Sequence, residues 1–194
     1  MSEFVSVTYK CVGSDLKDLF KLYEAFWTND NNKSRKDDWR YKCCTDFAPI
    51  IASLGFDPKQ YEFHGVVRSY HLEGSTLVID SVTGYCEQKD FRKCIEAKFP
   101  SIKVYYGEDD PQSASYYTND SSGDYFPRYF LESYDNTNYF KTIEDAAESV
   151  STLVGSYVAP SADDIYDALD NYYSGNVVCM EDRYSFREYE VRND

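Results

Sequence analysis

Val5, Val7, Tyr9 and Cys11 alternate with polar or small residues, the period of a half-buried strand, and Gly13 ends the run. Ser14 is a good helix N-cap, and Asp18 sits where a negative charge favours the helix dipole. Leu16, Leu19, Phe20, Tyr23, Phe26 and Trp27 then recur at helical spacing, until the Asn-rich run 29–32 competes for the backbone and stops the helix. A polar, partly basic connection over 29–44 leads to a short predicted helix at 46–54, with Pro49 tolerable in its first turn and Gly55 at its end. Residues 61–70 and 76–82 read as two strands of a hairpin turning at Glu73-Gly74. Residues 87–99 are amphipathic, with Phe91, Cys94, Ile95 and Phe99 on one side, and Pro100 terminates them. Ile102, Val104 and Tyr106 alternate as another strand, and Glu108-Asp109-Asp110-Pro111 reads as a turn.

Beyond it, 115–118 and 125–133 are expected to be strands flanking the polar loop 119–124. Thr142 with Asp145, and Ser161, cap two helices whose apolar stripes are Ile143, Ala146, Ala147, Val150, Leu153 and Ile165, Ala168, Leu169, Tyr172. Gly155 and Gly175 end them, and 177–180 with 184–191 read as a terminal strand pair. Helices interspersed with hairpin-connected strands make the expected class α+β, with a mainly antiparallel sheet. The order strand, helix, strand, strand, helix, strand fits the split βαβ, ferredoxin-like plan over about 3–107. The region about 108–194 then extends the sheet and adds two acidic helices, within a single domain of 194 residues.

Composition sharpens this picture. Leu, Ile, Val and Phe make up about a fifth of the chain, near the level below which chains stay disordered, but 20 Tyr add large apolar bodies with a polar tip. No apolar run approaches the roughly 18 residues of a membrane span, and residues 1–4 show no basic or apolar leader. Six Cys at 11, 43, 44, 86, 94 and 179 form no C-x-x-C pair, so the expectation is reduced thiols and a cytoplasmic protein. The net charge is −14, and it is lopsided: residues 101–150 carry ten acids and three bases, and 151–194 carry nine and three. Such a field repels phosphate backbones and attracts basic surfaces, so no direct nucleic-acid contact is expected outside the basic stretch 33–42.

The stretch VTYKCVGSDLKDLFKLYEAF resembles the opening of the ferredoxin-like domain of plasmid-borne proteins of the YubB type. So does HGVVRSYHLEGSTLVIDSVTGYCEQKDFRKCIEAKFPSIKVYYGEDDP, where Gly65, Thr83, Phe99-Pro100, Tyr105-Tyr106 and Glu108-Asp109-Asp110 stand in the places of that domain's marks. The chain departs from the pattern in having Gly84-Tyr85 at the family's aromatic position and in lacking its Trp-Cys-x-Asn lead. The likeness covers roughly 3–30 and 62–135. It implies a fold and an origin in a mobile genetic element, and it supplies no catalytic residues.

Candidate chemistry is sparse. His64 and His71, seven apart, fall on opposite faces if they share a strand, and no zinc spacing joins them to the cysteines. Cys43-Cys44, near Arg40 and Lys42, has the positive charge a reactive thiol needs but no neighbouring His as base. The acids at 108–110 and 119–124 do not follow a calcium-loop pattern, and Asx turns account for them. No catalytic or metal-binding residue and no cofactor is assigned.

The sharper feature is the helix at 161–173. At ~100° per residue, Asp163, Asp164, Asp167 and Asp170 fall within about 120° of one another, opposite Ile165 and Leu169. With Glu144, Asp145 and Glu148 on the preceding helix, they form the expected anionic binding face. Tyr116, Tyr117, Tyr125 and Tyr129 are expected on one hairpin beside it, because Tyr is enriched at protein interfaces. The expected function is a non-enzymatic interaction module that binds a basic partner protein, imitating the phosphates of a nucleic acid. The alternative is a carboxylate- or cation-dependent enzyme.

Overall fold

A computed structural model describes residues 4–28, 45–110 and 113–193. The basic stretch 33–42, Cys43 and Cys44 lie outside the described residues. The chain divides into two compact units, Met1–Asn119 and Asp120–Asp194, each with its own hydrophobic core. The division falls at the polar loop 119–124, twelve residues beyond the end of the expected ferredoxin-like core at about 107.

The first unit is built on six strands: β1 (Phe4–Val12), β2 (Thr45–Asp46), β3 (Gly65–Glu73), β4 (Thr76–Gly84), β5 (Lys103–Asp110) and β6 (Ser115–Thr118). They lie in the order β6-β5-β1-β4-β3-β2, and each of these neighbours pairs antiparallel. The alternation read from the sequence decides the two faces. Val5, Val7, Tyr9 and Cys11 point into the core, and opposite them across β4 stand Thr83, Ser81, Ile79 and Leu77. Helices α1 (Leu16–Thr28), α2 (Phe47–Leu54) and α3 (Lys89–Lys98) supply the facing residues, among them Leu19, Tyr23, Phe47, Ile50, Phe91 and Ile95. Burying each such side chain contributes roughly 1.5–3 kcal/mol. Aromatic contacts lock this layer: the Phe47 and Phe91 rings meet edge-on at 4.7 Å, and Tyr9 meets Phe91 at 5.3 Å.

Several local expectations shift. The first turn of α1 closes on the Asp15 carbonyl, which accepts from the Asp18 and Leu19 amides, so the helix starts one residue beyond a Ser14 cap. The β3 strand begins at Gly65, at φ 138°, where an added Cβ would lie 2.2 Å from the Val82 carbonyl oxygen. A residue with a side chain there cannot keep β3 this close to β4. His64 therefore precedes the strand, and only His71 belongs to it.

The acids Glu108, Asp109 and Asp110, expected as a turn, continue β5. Glu108 pairs with Val7 and Asp109 with Ser6. The reason is long-range: β1 offers backbone partners as far as Asp109 and β6 as far as Asp110, and a ladder outweighs the turn preference of acidic residues.

The second unit has a three-stranded antiparallel sheet of β7 (Tyr129–Glu132), β8 (Thr137–Phe140) and β9 (Ser185–Glu188), in the order β8-β7-β9. Helices α4 (Ile143–Val154) and α5 (Ala162–Gly175) pack Ala146, Ala147, Val150, Ile165 and Leu169 with Leu131 and Phe186 of the sheet. Both expected caps form: Thr142 accepts from the Asp145 amide and Ser161 from the Asp164 amide. The expected strand at 177–180 does not. Val177 is fully exposed, and Met180–Asp182 is a single 3-10 turn, because its apolar residues have no sheet edge to join.

The fold is thus α+β with mostly antiparallel strands. Among the described residues no helix is long and apolar enough to cross a membrane.

Candidate functional site

The charge asymmetry coincides with the division into units. Residues 120–194 hold 16 acidic and five basic residues, against 18 and 15 in residues 1–119. Glu144, Asp145 and Glu148 on α4, and Asp163, Asp164, Asp167 and Asp170 on α5, are all exposed. None of these seven carboxylates is in an ion pair with a described Lys or Arg. Their exposure follows from the helix period: the apolar stripes of α4 and α5 are buried against the sheet, so the acids on the opposite arcs meet water. Three of the five basic residues of this unit are engaged elsewhere. Lys141 pairs with Asp124 at 2.6 Å, and Arg128 pairs with Glu188 at 2.7 Å. The Arg183 guanidinium lies over the Tyr173 ring at 5.5 Å.

The tyrosines expected beside these acids are placed differently. The strands carrying them do not form one hairpin, because β6 pairs with β5 while β7 pairs with β8 and β9. Tyr116 and Tyr117 thus belong to the first unit, and Tyr125 and Tyr129 to the second. Tyr116 is buried, at 6% exposure, and Tyr117, Tyr125 and Tyr129 are half-buried. Tyr117 packs against the first core, and Tyr129 stacks on Phe186 at 6.0 Å with its ring nearly parallel. Long-range pairing turns these rings inward, so they serve packing first.

Among the exposed rings that the sequence reading missed, with Tyr134 and Tyr85, is Tyr157, at 84% exposure. It stands on the connection from α4 to α5. Gly155 ends α4 in the left-handed conformation at φ 74°, and the chain turns back along the helix. Ser151 fixes that return: its hydroxyl donates to the Ala147 carbonyl at 2.7 Å and accepts from the Val158 amide at 2.9 Å. Val158 is thereby buried while its neighbour Tyr157 points outward. The result is a groove of about 330 Å³ lined by Glu144, Ala147, Glu148, Ser151, Tyr157, Val158 and Pro160. Two of the predicted acids, one helical turn apart, therefore flank a recess with apolar walls and an aromatic rim. The sequence signal for Tyr157 is its place just beyond a helix-ending Gly, where the apolar period has stopped.

A second buried constellation lies in the first unit. The Arg92 Nε donates to Glu87 Oε1 at 2.8 Å, with both side chains nine-tenths or more buried. The Glu87 amide donates to Glu108 Oε2 at 2.7 Å, the Gln88 amide donates to the Tyr9 hydroxyl at 3.0 Å, and the Arg92 guanidinium lies over the Tyr106 ring at 5.5 Å. Burial pushes the Tyr9 phenol well up, reinforced by the charge of Glu87. This constellation ties the start of α3 to β1 and β5. Burial also pushes the Cys11 thiol up, the opposite of what a nucleophile needs.

The loop at 120–126 closes on Asp120, whose carboxylate accepts from the amides of Ser122, Tyr125 and Phe126 and from the Ser122 hydroxyl. It is an Asx-type turn stabilising the loop. Among the described residues no three His, Cys, Asp or Glu side chains are grouped to hold a metal ion. Comparison with protein-family models, with curated proteins and with solved structures finds no match to this chain.

Proposed function

We propose that this chain is a non-enzymatic acidic interaction module that binds a basic partner protein, with residues 120–194 presenting the binding face. The observation that carries this reading is the set of seven exposed carboxylates on α4 and α5 that form no ion pair with a Lys or Arg among the described residues. A helix face of this kind offers negative charges at regular intervals along a rod, as a nucleic-acid backbone does. Asp163 and Asp170 stand about 10 Å apart along the axis at ~1.5 Å per residue. A basic groove built for phosphates can therefore accept it in their place. The face acts through charge, so its partners are recognised by Lys and Arg content and its association is steered at low salt.

We further read the first unit as a ferredoxin-like core. Its support is the order β5-β1-β4-β3, all antiparallel, with α1 following β1 and α3 joining β4 to β5. This is the part of the chain that resembles the YubB-type domain, and with it goes the proposal of a cytoplasmic product of a mobile genetic element. Direct binding of single strands on the face of this sheet away from Val7, Tyr9 and Ile79 has little support. There its two central strands β1 and β4 carry Ser6, Thr8, Lys10 and Asp80 beside the buried Val78 and Val82, where a base-stacking platform needs exposed aromatics. The enzyme alternative draws no specific support from the arrangement of the acids.

Fluorescence anisotropy with two labelled probes tests the function. The full chain is expected to bind an arginine-rich peptide at low salt and to leave a single-stranded oligonucleotide of the same length free. Oligonucleotide binding with no peptide binding overturns the reading.

A further inference from the structure

We propose that the groove between α4 and the connection 156–160 is an arginine socket, taking one guanidinium from the basic partner between Glu144, Glu148 and the ring of Tyr157. The proposal rests on the basic-partner reading and deepens it, by naming the residue type that is read and the place that reads it.

Its size fits one side chain. About 330 Å³ is at the low end of the roughly 300–1,000 Å³ of small-ligand sites. Its chemistry is divided as an arginine is divided. Ala147, Val158 and Pro160 offer an apolar wall to the methylene stem, while the carboxylates and the ring stand where the charged head would lie.

Glu144 and Glu148 are four residues apart on α4, so their charges neighbour and repel each other. A cation placed between them relieves that repulsion, and no described Lys or Arg does so. Among the described residues no Lys or Arg lies over the Tyr157 ring either. Elsewhere in the same unit, Arg128 and Arg183 lie over Tyr129 and Tyr173 at 5.6 and 5.5 Å.

The socket is also held in place before a partner arrives. The Ser151 hydroxyl bonds the Val158 amide, Val158 is buried, and Pro160 restricts the backbone, so the Tyr157 ring projects from an anchored segment. Arginine fits better than lysine, because a planar fork can donate to two carboxylates while stacking on a ring. An ammonium is a compact, strongly hydrated point charge.

The test uses the isotope-labelled full chain, followed by amide chemical shifts during titration with an otherwise uncharged octapeptide bearing one arginine. Parallel titrations use the same peptide with lysine or with citrulline, which keeps the shape and removes the charge. The expected result is shifts centred on Ser151, Tyr157 and Val158, weaker binding of the lysine peptide, and none with citrulline. Tyr157→Ala is expected to weaken the arginine peptide at least about fivefold, and Glu144→Gln/Glu148→Gln to abolish its binding. Tyr157 is exposed, so the spectrum away from the groove should be unchanged and a folding defect would be seen directly.

An arginine-rich peptide provides the separating control. If it binds while the single-arginine peptide leaves the groove unshifted, or if Tyr157→Ala has no effect, the socket is overturned and the acidic-surface reading stands. If neither peptide binds at low salt, both fall.

Discussion

Replacing Arg92 with Met is expected to destabilise the first unit by about 3–5 kcal/mol, the cost of removing the buried cation that faces the Glu87 carboxylate. Arg92 is 3% exposed and sits on α3, with its Nε on Glu87 and its guanidinium over Tyr106. Met keeps much of the stem and its packing but removes the charge. Glu87 is then left in an environment that water barely reaches, close to the buried Glu108. A second substitution should recover part of the loss. In Arg92→Met/Glu87→Gln the orphaned charge is gone, and the remaining cost is the hydrogen bonds alone. Because the chain has two units, the readout must be local. Hydrogen exchange at the Tyr9 and Val104 amides reports the first unit without assuming one global transition. A loss below about 1 kcal/mol would place the pair in the class of solvent-screened surface bridges and contradict its burial.

Asp120→Ala is expected to destabilise the second unit by roughly 2–4 kcal/mol, because the amides of Tyr125 and Phe126 lose a charged acceptor at a buried position. The pH dependence follows from the same geometry. Burial pushes the Asp120 carboxyl up, but the bonds from the Phe126 amide, the Ser122 hydroxyl and the Tyr125 and Ser122 amides together hold it below its ordinary value. A carboxyl lowered by folding stabilises above its unfolded pKa of about 3.9, and that contribution is lost as the pH falls through the lower folded value. The second unit should therefore lose stability on the acid side of pH 4, and Asp120→Ala should flatten that part of the profile. Exchange at the Leu131 and Val150 amides, measured at neutral and acid pH, checks both effects. The Lys141–Asp124 pair should matter little, since both side chains are more than half exposed.

The Asp120 turn was legible as an Asx turn from the polar run 119–124, whereas the Arg92 constellation was not legible. Local periodicity and capping were enough for β1, for α3, for the Thr142 and Ser161 caps and for the outward acids of α4 and α5. Those features depend on neighbours three or four residues away. Glu108 could not be read that way. An acid triplet before Pro111 is a turn on local grounds, and its pairing with β6 and with β1, a hundred residues earlier, makes it a strand. Arg92 and Glu87 carry no mark in the amphipathic stretch 87–99, because nothing local says that Glu108 and Tyr9 close over them. Tyr116 failed for the same reason in reverse: its strand joins β5 and not β7, which turns the ring inward. The outward position of the seven carboxylates was legible and the inward turn of Tyr116 was not. Tyr157 is defined by the fold-back of the connection onto Ser151, a contact across seven residues that no periodicity encodes.

Binding of a basic partner by the exposed anions of α4 and α5 is tested most directly by the salt dependence of one affinity in two proteins. The wild-type chain is compared with a variant carrying Glu144→Gln, Glu148→Gln, Asp163→Asn, Asp167→Asn and Asp170→Asn, both titrated with the same arginine-rich peptide. The wild type is expected to weaken at least about tenfold between about 50 and 300 mM salt, as the screening length shortens toward the spacing of the charges. The variant should bind weakly at both and change little. A wild-type affinity that is flat with salt, or a variant that binds as tightly as the wild type, would contradict the claim.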